Sequence, residues 1–368
     1  MSGPKYTPLV DSLPSTVPFV GPEVQERARG AKFTARIGAN ENVFGPSPLA
    51  VKAMQEASAD IWMYGDPTNY DLRQALSAHH HVGPENIVIG EGIDGLLGYL
   101  CRMVIEAGDA VVTSLGAYPT FNFHVAGYGG ALHTVPYAGD HEDLGALITK
   151  ATEVGAKLIY FANPDNPMGT WQDGVKIEQA LDAIPSDCLL VLDEAYIEFA
   201  PKSAVPKIDV NDPRVIRFRT FSKAYGMAGA RVGYGLAAPE IIQSFDKIRN
   251  HFGMNRAAQA GALAALADQE WLAATVSKVE RAHNRIAAIA AEHGLVTLPS
   301  ATNFVAMDCG RDGDFAKRIL DDLIENGIFV RMPFVAPQNR CIRIGCGTDD
   351  DLAAFADALP RALAVASS

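Results

Sequence analysis

Seven short runs of apolar, mostly β-branched or aromatic residues punctuate the first two thirds of the chain. They lie at 86–90 (NIVIG), 109–113 (DAVVT), 131–136 (ALHTVP), 158–161 (LIYF), 189–192 (LLVL), 215–219 (VIRFR) and 231–235 (RVGYG). Each is too short for a stable helix, and their near-continuous apolar character predicts strands of a sheet covered on both faces. Apolar residues at helical spacing over 74–80 and 92–105 predict helices between the strands, and alternation of the two element types predicts a layered α/β fold. In such folds function collects at strand ends.

A different pattern follows. A helix is predicted from near Asn255 through AAQAGALAAL, and a longer one over 270–294, after which Leu295 begins a new alternation. Strands are then predicted at 303–307, 328–332 and 341–344, with a helix at 314–326 between them. A final helix over 349–366 carries Leu352, Phe355, Ala356, Leu359 and Leu363 on one face, a packing stripe rather than a catalytic signal. The division this suggests is an N-terminal arm (1–45) that contributes to a small domain, a large domain (46–270) and a small C-terminal α/β domain (271–368).

Composition narrows the function classes. The 368 residues include 31 Lys and Arg against 43 Asp and Glu, a formal charge of −12, which excludes a general nucleic-acid-wrapping surface but permits a local phosphate pocket. The five cysteines (Cys101, Cys188, Cys309, Cys341, Cys346) form no CxxC pair and are odd in number, so a reducing cytoplasm is expected. The first twenty residues hold one lysine and four prolines and lack the basic start and apolar run of an export signal. The most apolar helical stretch, 95–107, is interrupted by Arg102 and is too short to cross a bilayer, so no membrane partner is expected.

Two polar clusters leave predicted strands. Asp193-Glu194-Ala195-Tyr196 follows 189–192, and Thr220-Phe221-Ser222-Lys223 follows 215–219. Read from residues alone, Lys223 is either a solvated surface cation or an amine whose burial lowers its pKa and makes it a nucleophile. Gly92-Ile93-Asp94 opens a predicted helix straight after a strand, where free amides can hold phosphate, although a glycine there also serves geometry alone.

The run TFSKAYGMAGARVG (220–233), together with NPDNPMGT (163–170) and DEAY (193–196) in this order and spacing, resembles fold-type-I aminotransferases that use pyridoxal 5'-phosphate (PLP). The likeness extends from Ala39-Asn40-Glu41-Asn42 through Tyr64 and Asp94 to Arg343, and is nearest in style to the histidinol-phosphate subgroup. It implies a large mixed-sheet cofactor domain with a smaller α/β domain. It also implies that Lys223 holds the cofactor aldehyde as a Schiff base and then moves the proton of the substrate's α-carbon. Asp193 is implied to keep the pyridine nitrogen protonated, Asn166 and Tyr196 to donate to the ring's phenolic oxygen, and Tyr118 to stack on the ring. Gly92, Ile93, Asp94, Thr220, Ser222 and Arg231 are implied to cradle the phosphate. Tyr64 is implied to reach the phosphate of a neighbouring subunit, which makes a homodimer. The segment Tyr64-Gly65-Asp66-Pro67 departs from the subgroup's usual tyrosine-proline pair.

On the substrate side the resemblance implies Arg343 and Arg331 as anion-binding residues, with Asn40 and Phe19 beside them and Asn303 near the domain cleft. Phe19 stands where the subgroup commonly has tyrosine, so a hydroxyl is lost there. The expected reaction is a ping-pong amino transfer between a small-molecule amine and a 2-oxo acid, with histidinol phosphate and 2-oxoglutarate as the leading pair, placing the chain in histidine biosynthesis. An aromatic or broad-specificity aminotransferase is the competing specificity, and a PLP decarboxylase or lyase the more distant one. No glycine-rich dinucleotide fingerprint supports a nicotinamide enzyme. Arg340 reads as peripheral, and His79, His80 and His81 read as a surface cluster with no metal role.

Overall fold

The computed structural model describes residues 3–15 and 20–368. In chain order its strands are β1 (Ala35–Arg36), β2 (Ile87–Gly90), β3 (Ala110–Ser114), β4 (Ala131–Val135), β5 (Leu158–Ala162), β6 (Leu189–Asp193), β7 (Val215–Thr220), β8 (Gly233–Leu236), β9 (Val296–Thr297), β10 (Phe304–Asp308), β11 (Ile328–Phe329) and β12 (Cys341–Gly345). The seven predicted early strands form one sheet, ordered β2-β8-β7-β6-β5-β3-β4. Its pairings are parallel except those of β8, which runs antiparallel to both β7 and β2.

Successive side chains of a strand point to opposite faces, and here both faces are dry. Leu158, Tyr160, Ala162 and Val191 pack on one side with Leu96, Leu97, Leu100 and Phe121, from the helices Gly92–Val104 and Pro119–Gly127. Ile159, Phe161, Leu190 and Leu192 pack on the other with Leu147 and Ile148 from the helix Leu144–Val154. The strand expected at 131–136 departs from the pattern: β4 is the sheet's edge, and Leu132 and Thr134 face solvent. The strand expected at 231–235 begins only at Gly233, because Arg231 adopts a left-handed conformation (φ 57°) just before it.

A second core joins Ala35 and Ile37 to Val279, Ile286, Ile289, Val305, Ile319, Ile342, Ile344, Phe355 and Leu359. It backs a three-stranded antiparallel sheet ordered β12-β10-β9 and a two-residue parallel pair, β1 with β11. The strand expected at 328–332 therefore shrinks to Ile328–Phe329, with Arg331 bridged separately to Arg343. The final helix, Asp349–Ser367, starts in a Thr348/Asp351 capping box and buries Leu352, Phe355 and Leu359, as the stripe predicts.

Between the two cores runs the segment from Ile37 to Pro46. Gly345 N–H donates to the Ile37 carbonyl at 2.6 Å, and Asn303 Nδ2 donates to the carbonyls of Asn40 and Glu41 at 3.1 Å each. Asn42 Nδ2 donates in the other direction, to the carbonyls of Lys223 (3.0 Å) and Ala224 (3.2 Å). Gly226 lies at φ +70°, and a Cβ there would sit 2.3 Å from the Gly45 carbonyl oxygen. The lysine loop and this strap thus touch backbone to backbone, where nothing larger than hydrogen fits.

Gly226→Ala should combine a disfavoured backbone conformation with that clash and destabilise the protein by about 2 kcal/mol or more. Equilibrium urea unfolding measures it, and a wild-type midpoint would mean that the strap yields freely.

Candidate active site

A cavity of about 440 Å³ opens where the C-terminal ends of β6 and β7 face the strap and the small sheet. Its lining includes Asn40, Ile93, Asp94, Tyr118, Asn166, Asp193, Tyr196, Thr220, Ser222, Lys223, Arg231, Arg331 and Arg343. These residues come from segments spread over most of the chain, and the topology brings them together because parallel strands end on the same side.

One end of the cavity is built for an anion. The helix Gly92–Val104 begins there, and its first-turn amides have no acceptor within the helix. Gly92 does not line the cavity itself. It lies at φ +80° against Arg231, where a Cβ would stand 2.5 Å from Nη2, and a Cβ on Gly233 would stand 2.6 Å from the Ile93 nitrogen. Arg231 Nη1 donates to the Ala228 carbonyl (2.8 Å) and reaches Ser222 Oγ at 3.5 Å. The two loop hydroxyls differ: Thr220 Oγ1 donates to the Val232 carbonyl (3.2 Å) and accepts from Ser222 N–H (3.0 Å). Thr220 thus shapes the loop, while the proton of Ser222 is uncommitted. Asp94 turns away to His124 (2.7 Å), a hydrogen bond that holds its carboxyl below the usual range.

Lys223 occupies the middle. Its Nζ donates to the Asn40 carbonyl at 3.1 Å and stands 5.4 Å from the centre of the Tyr196 ring. Burial, with Arg343 and Arg231 adding repulsion, lowers its pKa from 10.5 to about 8, against the pull of Asp193 and Glu41. An amine in that range is neutral often enough to attack an electrophile and basic enough to take a proton.

Asp193, the last residue of β6, lies beyond Lys223. It is buried, accepts from Tyr160 hydroxyl (2.5 Å) and Ala195 N–H (2.9 Å), and has its carboxyl raised by burial. Both donors are neutral, so this anion suits a cationic N–H entering from the cavity. Tyr160 was not evident as a site residue. Its signal was parity, since it shares a face of β5 with Ala162, which is in register with Asp193.

Two residues are oriented by their neighbours. Asn40 Nδ2 donates to the Tyr196 hydroxyl (3.0 Å), leaving the phenolic proton free to donate into the cavity. Arg343 Nη1 donates to Asn166 Oδ1 (2.5 Å), so the amide's own donors point elsewhere. Arg331 and Arg343 are paired through their backbones, and both reach the lining from the small-sheet side. Burial brings the Arg343 pKa down to about 10, which still leaves it charged at neutral pH.

Other expected residues stand apart. Tyr64 lies outside the cavity, 75% exposed and stacked on Phe252 at 4.5 Å. Phe19 falls outside the described residues. His80 does not belong to a surface cluster, because its Nε2 meets the Tyr234 hydroxyl at 2.9 Å and burial carries its pKa down to about 3. Arg340 is not peripheral, since it clamps Asp140 (2.9 Å) to Asp308 (2.7 Å). Among the described residues no group of three or more His, Cys, Asp or Glu could hold a metal ion.

Residues 35–359 match the family model described as Aminotransferase class I and II. A histidinol-phosphate aminotransferase of Anaeromyxobacter sp. (strain Fw109-5) is 38% identical over 89% of this chain and 90% of its own length. That of Moorella thermoacetica is 33% identical over 98% and 94%. The crystal structure of histidinol-phosphate aminotransferase from Sinorhizobium meliloti in complex with pyridoxal-5'-phosphate is 54% identical, with a TM-score of 0.95 over 99% of this chain and 98% of that one.

The amine and the anion end each make a prediction. Capture of pyridoxal 5'-phosphate by the cofactor-free protein requires neutral Lys223, whose fraction grows as pH rises, so the rate should climb with a midpoint near pH 8. A midpoint near the 10.5 of a solvated lysine would contradict the burial argument. Arg231→Ala should weaken cofactor affinity by roughly 10- to 100-fold in equilibrium dialysis.

Proposed function

We propose, on the premise that the chain belongs to the class I and II aminotransferases and is a pyridoxal-5'-phosphate-dependent enzyme, that it transfers the amino group of histidinol phosphate to 2-oxoglutarate in histidine biosynthesis. The observation that carries the choice of donor is the backbone-paired Arg331 and Arg343 on the wall of the cavity that Lys223 occupies. A phosphate monoester carries up to two negative charges on three equivalent oxygens, and two guanidinium groups match it better than one would. The curated relatives named above share that donor in their names.

The residues present fit the cofactor. Its phosphate would lie on the amides of Ile93 and Asp94 with Ser222 and Arg231, Gly92 leaving room for that arginine, its ring against Tyr118, and its ring nitrogen toward Asp193. When bound, it supplies an aldehyde that joins amines and a ring that withdraws electrons from the carbon losing its proton. Lys223 would hold the cofactor through Nζ, and the same amine, once free, would take the proton from the donor carbon and return it one position away. Asn166 and Tyr196 supply donors to the phenolic oxygen, Tyr196 with the proton that Asn40 leaves free. Asp193 would hold a proton on the ring nitrogen, a role that suits a buried carboxylate whose hydrogen-bond donors are neutral.

We extend this reading to assembly and location. Ile61, Trp62, Tyr64 and Phe252 are all exposed, Tyr64 and Phe252 stack to make an apolar patch, and Arg256 Nη2 holds the Tyr64 carbonyl at 3.0 Å. A second copy of the chain covering this patch would bring Tyr64 to the neighbour's phosphate site. The five cysteines are all free and buried, which fits a reducing cytoplasm.

Single-turnover reactions followed by the cofactor spectrum test the donor. Histidinol phosphate should exceed phosphate-free histidinol by about 100-fold or more in kcat/KM, and phenylalanine or tyrosine reacting faster would overturn the assignment. The dimer is tested by mixing Lys223→Ala protein with Tyr64→Ala protein, each roughly 100-fold or more impaired alone. A mixed dimer holds one intact site, so activity should return on subunit exchange. Persistent inactivity would mean that Tyr64 serves its own subunit or none.

A further inference from the structure

Behind the loop that carries Asn166 lie two acids that the reaction described above does not use. Glu142 and Asp165 are each 2% exposed, and their side chains are hydrogen-bonded to one another. Among the described residues their other donors are neutral. Ser114 Oγ donates to Glu142 Oε2 (2.6 Å) and Ala162 N–H to Oε1 (3.2 Å), while Tyr137 hydroxyl donates to Asp165 Oδ1 (2.9 Å) and Met168 N–H to Oδ2 (3.0 Å).

Two touching carboxyls in a dry site cannot both ionise. Burial, and then the charge of Asp165, push Glu142 well above the carboxylate range, so Glu142 keeps the proton. Burial raises Asp165 as well, but Met168 N–H, the Tyr137 hydroxyl, Glu142 and Arg343 all favour its charged form, which makes Asp165 the anion.

That single charge sits one residue before Asn166, whose amide oxygen holds Arg343. Arg343 is buried with Arg331 pressing on it, and Asp165 favours its charge. The same carboxylate closes the turn that presents Asn166. Met168 N–H reaches the Asp165 side chain, Gly169 N–H its carbonyl (3.1 Å), and Asp165 N–H the Thr170 carbonyl (2.9 Å). Glu142 in turn ties this turn to the ends of β3 and β5 through Ser114 and Ala162.

We propose that Glu142 and Asp165 form a proton-sharing carboxyl pair that positions Arg343, through Asn166, to receive the anionic group of the substrate. One proton is what the arrangement needs. With none, a second negative charge would stand near the anion site; with two, the buried guanidinium would lose its counter-charge. The proposal rests on the reading of Arg343 as the substrate's anion anchor.

The test uses cofactor-loaded enzyme and two donors, histidinol phosphate and histidinol. Glu142→Ala should raise KM for histidinol phosphate by roughly tenfold or more with kcat within about threefold, and move KM for histidinol by less than about threefold. Glu142→Gln, whose amide donates to Asp165 as the protonated acid does, should stay within about threefold of wild type for both donors. Infrared spectra of the cofactor-free protein at pH 7 supply a readout independent of turnover: a carboxylic-acid carbonyl band in the wild type that is missing from Glu142→Gln. An absent band, or equal KM changes for the two donors, overturns the proposal. If Glu142→Ala does not fold, Tyr137→Phe, which keeps both acids, should raise KM for histidinol phosphate alone, and an unchanged KM overturns the proposal equally. Arg343→Gln separates the two readings. If it leaves discrimination between the donors intact, the anchor fails and the proposal falls with it; if it abolishes discrimination while Glu142→Ala does not disturb it, the carboxyl pair alone is refuted.

Discussion

Burial of the Lys223 amine among cations is the constraint around which the rest of the molecule is arranged. An ammonium there would have lost its water and would face Arg343 and Arg231, with Asp193 and Glu41 as partial relief. The pocket therefore sets four cations, Lys223, Arg231, Arg331 and Arg343, among four acids, Glu23, Glu41, Asp94 and Asp193, in a chain whose formal charge is −12. Its cations are compatible with one another because the amine readily gives up its proton and because the other charges face an anion-binding end and a wall of paired arginines. Substrate and cofactor, both anionic, meet a site that is prepared for them before they arrive.

Keeping that amine in place requires the strap between the two cores. Asn42 holds the lysine's own carbonyl, Asn40 takes the amine, and Asn303 and Gly345 tie the strap to the small sheet. Asn40 does so in a left-handed conformation, φ 56°, which asparagine tolerates better than most residues. The strap couples the position of the small sheet, and hence of Arg343, to the position of the lysine. Arg340 makes a second link by joining Asp140, beside the large sheet, to Asp308 at the end of β10.

The large sheet was legible because its strands are apolar on both faces, a pattern that needs no knowledge of partners. The chemistry was legible where it follows a strand directly, as Asp193 and Lys223 do. What was not legible depends on distant chain segments. His80 was read as surface because Tyr234, which it meets across 154 residues, leaves no mark beside it in the sequence. Arg231 was assigned to a strand because nothing in an arginine announces a left-handed backbone. The pattern at 328–332 was truthful about burial but not about pairing, since β1 offers only two residues to pair with. Nothing in the sequence singles out Glu142, and Asp165 stands out only as part of the 163–170 run; folding puts both out of reach of water. The division at 46–270 and 271–368 remains our proposal for the domains.

The antiparallel course of β8 has a consequence for how the site can vary. Because β8 starts where β7 ends, with Thr220 in register with Gly233, the residues between them form a closed hairpin loop at the strand ends that face the cavity. Lys223 and Arg231 both belong to that loop, so in the roles we propose for them the spacing between the covalent attachment point and the phosphate grip is set by a single short peptide with both ends pinned. It works as a gauge of fixed length. Insertions there would change the size of cofactor the protein can hold, whereas the strap, the small sheet and the loop holding Glu142 can diverge to suit new substrates without resetting that measure.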